Sequence, residues 1–144
     1  MIGMILFIAG ILGKPHPTLQ TGWYYIQDTS TCLRILDKSN ERYYIDPTPI
    51  VTIKHFAKVE VLEGTYNGAA YAYIDIRFDS LGTVAWRVAT DRAVGKRLAL
   101  IIDDKLVYTP LVNGPIFSGV SALNRGNYPK EELEKFAGVM RSEM

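Results

Sequence analysis

The chain has 144 residues, 48% of them hydrophobic, enough for one compact domain with a sizeable core and a smaller N-terminal lobe. Sixteen basic and fifteen acidic residues leave a net charge of +1, which removes any electrostatic argument for nucleic acid or an acidic membrane as partner. The single cysteine, Cys32, excludes an internal disulfide and a Cys-based zinc site, and reads as a small hydrophobe on a strand.

Residues 1–13, MIGMILFIAGILG, are almost wholly apolar. The run is too short for an ordinary membrane span, which takes about 20 residues, and fits the hydrophobic region of a secretory signal. No Lys or Arg precedes it, no A-x-A-like site follows, and no lipoprotein-type Cys is present. An export signal or a membrane tether through residues 1–13 is expected, ahead of the alternative of a buried N-terminal strand or helix, because Lys14-Pro15-His16-Pro17 then breaks the chain like a linker.

Residues 21–69 read as a strand-rich segment. Gly22–Ile26 is an aromatic strand, Asp28–Thr31 a turn, Cys32–Leu36 a strand, Asp37–Glu41 a turn, and Arg42–Ile45 a strand ended by Asp46-Pro47-Thr48-Pro49. Thr52 is placed to cap a helical turn over Ile53–Lys58, with a short strand over Val59–Leu62 and a turn over Gly64–Gly68.

From residue 70 the patterns sharpen. Ala70–Phe78 alternates Tyr71, Tyr73, Asp75 and Arg77 against Ala72, Ile74, Ile76 and Phe78, the signature of a half-buried strand. Asp79-Ser80 offers N-cap side chains for a helix over Leu81–Val94, with Leu81, Val84, Ala85 and Val88 as its apolar face, Gly95 as its C-cap and Lys96-Arg97 at its negative end. Leu98–Ile102 is apolar on both faces and so belongs in the middle of a sheet. Asp103-Asp104 turns the chain and Leu106–Tyr108 returns until Pro110. Asn113-Gly114-Pro115 is a turn anchored by Ile116 and Phe117; Gly119–Leu123 is a short strand and Asn124–Asn127 a further turn. The last helix covers Pro129–Met140, with Leu133, Phe136, Ala137 and Met140 on one face and Glu131-Glu132 at its positive end. The expected fold is α+β, a mainly antiparallel sheet with two helices packed on one face.

No residue set points to catalysis. His16 and His55 are the only neutral-pH bases; neither has a Cys or second His at ligand spacing, and both read as solvated surface residues. Asp103-Asp104 is explained by its turn, and Ser118-Gly119 lacks a nucleophile elbow. Gly114 and Gly119 lack the Lys-Ser/Thr tail of a phosphate loop. Tyr71 and Tyr73 could stack on bases, but no basic surround accompanies them and Asp75 shares their face. No cofactor or metal is expected.

The order of elements from residue 70 carries a family resemblance. GKRLALIIDDKLVYTPLVNGPIFSGVSALNRGNYPKEELEKFAGVMR, beginning at Gly95, resembles the head subdomain of the first periplasmic region of SecD, part of the SecDF translocation accessory. Gly95, Leu98, Ala99, Asp103, Pro110, Ile116, Gly119 and Glu131-Glu132 fall where that pattern puts them, and Phe78, Gly82, Trp86 and Thr90 match its F-x-x-x-G-x-x-x-F-x-x-x-T. Asp104 stands where the family has Gly, and Pro129 where it has a Thr N-cap. The resemblance covers about residues 70–141. It makes 70–144 a SecD-head-like α+β domain, after a signal or anchor segment with linker at 1–20 and the strand-rich segment at 21–69. The proton-coupled chemistry of SecDF lies in a six-helix membrane domain that does not follow here, so that activity is not carried over. The resemblance implies an extracytoplasmic, non-enzymatic domain that contacts protein or extended polypeptide, an accessory to protein export. Its expected contact surface is Tyr71 and Tyr73 with Leu111, Val112, Ile116 and Phe117. A small-ligand-binding or accessory enzyme domain with a sheet–helix pocket is the alternative, and a purely structural subunit of an envelope complex a third reading.

Overall fold

The computed structural model describes residues 17–144. The apolar run at 1–13 and His16 lie outside the described residues. The fold is α+β with antiparallel strand pairing, and the strands divide between two sheets.

The larger sheet has the order β2-β3-β1-β7-β8, with β4 also paired to β1. Its strands are β1 (Gly22–Gln27), β2 (Cys32–Ile35), β3 (Arg42–Ile45), β4 (Val51–Thr52), β7 (Leu98–Ile102) and β8 (Lys105–Tyr108). The smaller sheet has the order β5-β6-β9: β5 (Phe56–Tyr66), β6 (Ala69–Phe78) and β9 (Val120–Leu123). Helix α1 covers Ser80–Arg92 and α2 covers Lys130–Glu143.

β7 occupies the interior position its composition demands. It pairs with β1 on one side and β8 on the other, and all five of its residues are buried. Leu98, Leu100 and Ile102 face one apolar cluster, Ala99 and Ile101 a second. The first cluster lies between the sheets and takes in both helices, through Trp86 and Ala93 of the α1 end and Leu133, Ala137 and Met140 of α2. The second holds Tyr24, Cys32, Leu36, Ile45 and Leu106. The larger sheet curls around it until the Asp37 amide, just past β2, donates to the Leu106 carbonyl of β8 at 2.9 Å. Cys32 is fully buried there, the small hydrophobe expected.

Both tight hairpins use consecutive residues at positive φ, which matches the right-handed twist of the flanking strands. Asp103 and Asp104 (φ 50° and 64°) join β7 to β8; Asn67 and Gly68 (φ 51° and 79°) join β5 to β6. The latter corrects the broader turn expected at Gly64–Gly68: β5 runs on to Tyr66, and the Asn-Gly pair is sufficient to reverse it. The helical turn expected over Ile53–Lys58 shrinks to a 3-10 turn at Ile53–His55, because pairing of Phe56 with Phe78 starts β5 early.

The expected apolar face of α1 is also corrected. Leu81, Val84 and Val88 are exposed; the buried residues are Gly82, Trp86, Ala89 and Thr90. Trp86 offers more area to bury than any of the three aliphatics, and Gly82 lets the helix approach so closely that a Cβ there would sit 2.9 Å from Phe78 Cβ and 3.0 Å from His55 Cβ. The expected N-cap forms: the Asp79 carboxylate accepts from the Gly82 amide at 2.8 Å. Helix α1 ends two residues earlier than expected, with Ala93 at the C-cap and Gly95 beyond it at φ 79°. His55 is not a free surface side chain, since its Nδ1 lies 3.0 Å from Asp79 Oδ2.

Candidate functional site: an aromatic-floored cleft

Trp23 of β1 and Trp86 of α1 meet in the main core with ring centroids 4.7 Å apart. Both are almost fully buried, and both indoles point their N–H at β9. Trp23 Nε1 donates to Ser121 Oγ at 3.0 Å and Trp86 Nε1 to the Val120 carbonyl at 3.2 Å. Above them a cleft of about 540 Å³ opens between β9 and the segment that follows β8. Thr90, Leu98, Tyr108, residues 110–116, Ser121, Ala122 and Asn124 complete its lining.

The wall formed by residues 110–116 is fixed in place by backbone bonds. Leu98 N donates to Pro110 O at 3.1 Å, Val112 N to Lys96 O at 2.8 Å, and Gly95 N to Val112 O at 2.8 Å. The buried Thr90 hydroxyl donates to Trp86 O at 2.8 Å and accepts from the Ile116 amide at 2.9 Å, tying the far end of the wall to α1. The cleft is therefore preformed. Its polar groups are neutral: Thr90, Ser121, Asn113, Asn124 and Tyr108. The Tyr108 hydroxyl donates to Asn124 Oδ1 across the cleft mouth. Burial pushes that phenol up, so it stays a donor through neutral pH. No acid or base side chain lines this cleft, and no group of three metal-ligating side chains occurs among the described residues.

Of the residues singled out from sequence, three lie on the wall. Leu111 is exposed, Val112 is buried and Ile116 is half-buried. Phe117 stands outside the cleft, 67% exposed, with the Arg87 guanidinium 5.9 Å from its ring centroid. Tyr71 and Tyr73 are on β6 with their rings 5.7 Å apart, and the Tyr71 ring covers Gly64 of β5. Tyr71 lines a neighbouring shallow groove with Tyr66, Ala69, Ala70, Ala72, Asn124 and Gly126. Asn124 belongs to both linings, so the cleft and the tyrosine-bearing ribbon are contiguous there. β9 pairs with β6 only from Ile74 to Arg77, which leaves residues 69–73 of β6 without a strand on that side. Sequence reasoning missed Trp23, Trp86, Tyr108 and Asn124. The available signal was that both tryptophans of the chain sit in apolar elements, where an indole N–H needs a partner.

The described residues contain no helix long and apolar enough to cross a membrane. A family model described as "SecDF, P1 head subdomain" matches residues 28–143. Protein translocase subunit SecD of Rickettsia conorii is 31% identical over 78 residues, covering 54% of this chain and 15% of the relative. SecD of Endomicrobium trichonymphae is 28% identical over 105 residues, covering 73% of this chain and 22% of the relative. This chain thus spans less than a quarter of the length of these curated relatives. Among solved structures, one described as "Structure and function of a membrane component SecDF that enhances protein export" superposes with a TM-score of 0.59 at 23% identity, over 68% of this chain and 42% of that one. A second, "Crystal structure of SecDF in Super-membrane-facing form", gives a TM-score of 0.61 at 23% identity, over 68% and 13%. The match at 28–143 takes in β2 to β5, beyond the region legible as a resemblance from sequence.

Proposed function

The chain belongs to the SecDF P1 head subdomain family, and on that premise we propose that it is a non-enzymatic, extracytoplasmic module that holds extended polypeptide during protein export. The observation that supports this most directly is the cleft over Trp23 and Trp86. Its floor is aromatic, its wall is fixed, and its polar groups are uncharged. Such a site takes apolar side chains of varied shape and offers hydroxyl and amide groups to a peptide backbone. At Asn124 it runs on to the unpaired side of β6, where an extended segment could add as a strand through backbone bonds that make no demand on sequence. The Tyr71 and Tyr73 rings stand on the same ribbon. The apolar run at 1–13 would serve as export signal or membrane tether.

A small-ligand site is the second reading, because about 540 Å³ lies in the range of small-molecule pockets. The polypeptide reading is preferred because the cleft continues onto an open strand edge rather than closing around a ligand.

A photo-crosslinking residue in place of Leu111 is expected to capture an unfolded secretory polypeptide, and one in place of Glu134, which is exposed and outside the cleft lining, is not. Equal capture at the two positions, or none at Leu111, would overturn the reading.

A further inference from the structure

Two guanidiniums stand beside the cleft with no carboxylate within ion-pair distance among the described residues. Arg97 Nη1 donates to the Thr109 carbonyl at 2.6 Å, and Arg125 Nη1 to the Val107 carbonyl at 3.0 Å. Val107 lies in β8 and Thr109 just past its end, two residues on, so the two anchors lie about 7 Å apart along the extended chain. With the Asp37 amide on Leu106, these bonds close the outer edge of β8 to strand addition.

Edge closure uses only part of what the two arginines offer. Each guanidinium carries five N–H donors in a planar fork that matches a carboxylate. Beyond its carbonyl, Arg125 meets Tyr128, whose hydroxyl lies 3.3 Å from Nη1 and whose ring centroid lies 5.2 Å from Cζ. Among the described residues neither arginine has an acidic group within ion-pair distance. Both line a second cleft, of about 410 Å³, with Leu36, Glu41, Tyr108, Thr109, Pro110 and Leu111. Tyr108, Pro110 and Leu111 also line the tryptophan cleft, so the two spaces are separated by one set of residues. Glu41 is the carboxylate of this second lining. It accepts hydrogen bonds from Tyr43 Oη at 2.6 Å and Ser39 Oγ at 3.3 Å, and the two arginines act on it only as more distant charges that, after Tyr43, help hold its carboxyl below the usual range.

We propose that Arg97 and Arg125 form a subsite for acidic side chains of the polypeptide that occupies the tryptophan cleft, so that segments with Asp or Glu flanking apolar residues are preferred. The proposal rests on the polypeptide reading above and adds the chemistry of the preferred segment. The complementarity is specific. The neutral tryptophan cleft receives apolar side chains, and two anchored cations with unused donors stand across Tyr108, Pro110 and Leu111 from it.

The test uses the full chain and two short fluorescent peptides, acetylated and amidated at their ends. They share an apolar centre and differ in carrying Glu or Gln on both flanks. Anisotropy at low salt is expected to show the Glu peptide binding about tenfold more tightly, with the advantage fading as salt rises. The R97Q/R125Q double variant should lose the preference while binding the Gln peptide as the wild type does, and Glu41→Gln should strengthen the Glu peptide. If the double variant does not fold, Arg97→Lys serves, since it keeps the charge, loses the fork, and should retain only part of the preference. Equal binding of both peptides by the wild type, or a preference that survives the arginine substitutions, would overturn the subsite and leave the polypeptide reading intact. Failure of both peptides to bind the wild type would overturn both.

Discussion

Trp23 and Trp86 pack with their rings tilted at 46° and centroids 4.7 Å apart, and each donates its indole N–H to β9. One contact thus joins the larger sheet, α1 and the smaller sheet. Trp86→Ala would remove the floor of the cleft and a main-chain anchor of β9 together. The expected cost is about 3–5 kcal/mol, read as a lower urea midpoint. Trp86→Phe keeps an aromatic surface and should lose less. Because these are the only two tryptophans of the chain, their emission reports on the cleft, and peptide binding there should shift it.

Leu100 is fully buried in β7, between β1 and β8. Leu100→Asp places an unpaired carboxylate against Trp23 and Ile102 in the main cluster. The chain should not fold. A soluble L100D protein with a cooperative thermal melt would contradict the interior placement of β7.

Gly119 has φ 71°, and a Cβ on it would lie 2.3 Å from Thr83 Oγ1. Gly119→Ala therefore meets both an unfavourable backbone region and a clash with α1. A loss of roughly 1–3 kcal/mol in chemical denaturation is expected. Thr83→Ala should recover part of it by relieving the clash, and leave the backbone part.

Asp79 caps α1, and its carboxyl is held below the usual carboxylate range, first by the Gly82 amide and then by His55. A depressed carboxyl contributes stability that is complete above its unfolded value and is lost as pH falls through its folded value. The window is therefore below about pH 4. Asp79→Ala should melt at a lower temperature than wild type at neutral pH, and the two curves should converge on acidification. Curves that stay parallel through that range would remove the cap from the pH dependence.

The two helices, the β7–β8 hairpin and the long strand β6 were legible in the sequence because each depends on local periodicity or turn chemistry. The burial of both faces of β7 followed from LALII alone, as did the Leu133, Ala137 and Met140 stripe of α2. The orientation of α1 was not legible. Leu81, Val84 and Val88 make as regular a stripe as the one that is buried, and periodicity cannot rank them. Shape decided it: Gly82 allows the close approach, and Trp86 finds both an aromatic neighbour and a carbonyl for its N–H. The proposed surface was legible in part, since Leu111, Val112 and Ile116 line the cleft while Tyr71 adjoins it only through Asn124.

The α+β class, most of the element order and the family pattern from Phe78 to Glu132 were readable from residues alone, because each rests on spacing within a short stretch. The short strand β4, the division of the strands between two sheets, the meeting of Trp23 with Trp86 and the placing of Arg97 and Arg125 beside one cleft emerge only on packing. Those relationships join residues far apart in the chain. They are set by which surfaces exclude water from each other once the elements pack, and no local pattern encodes that choice.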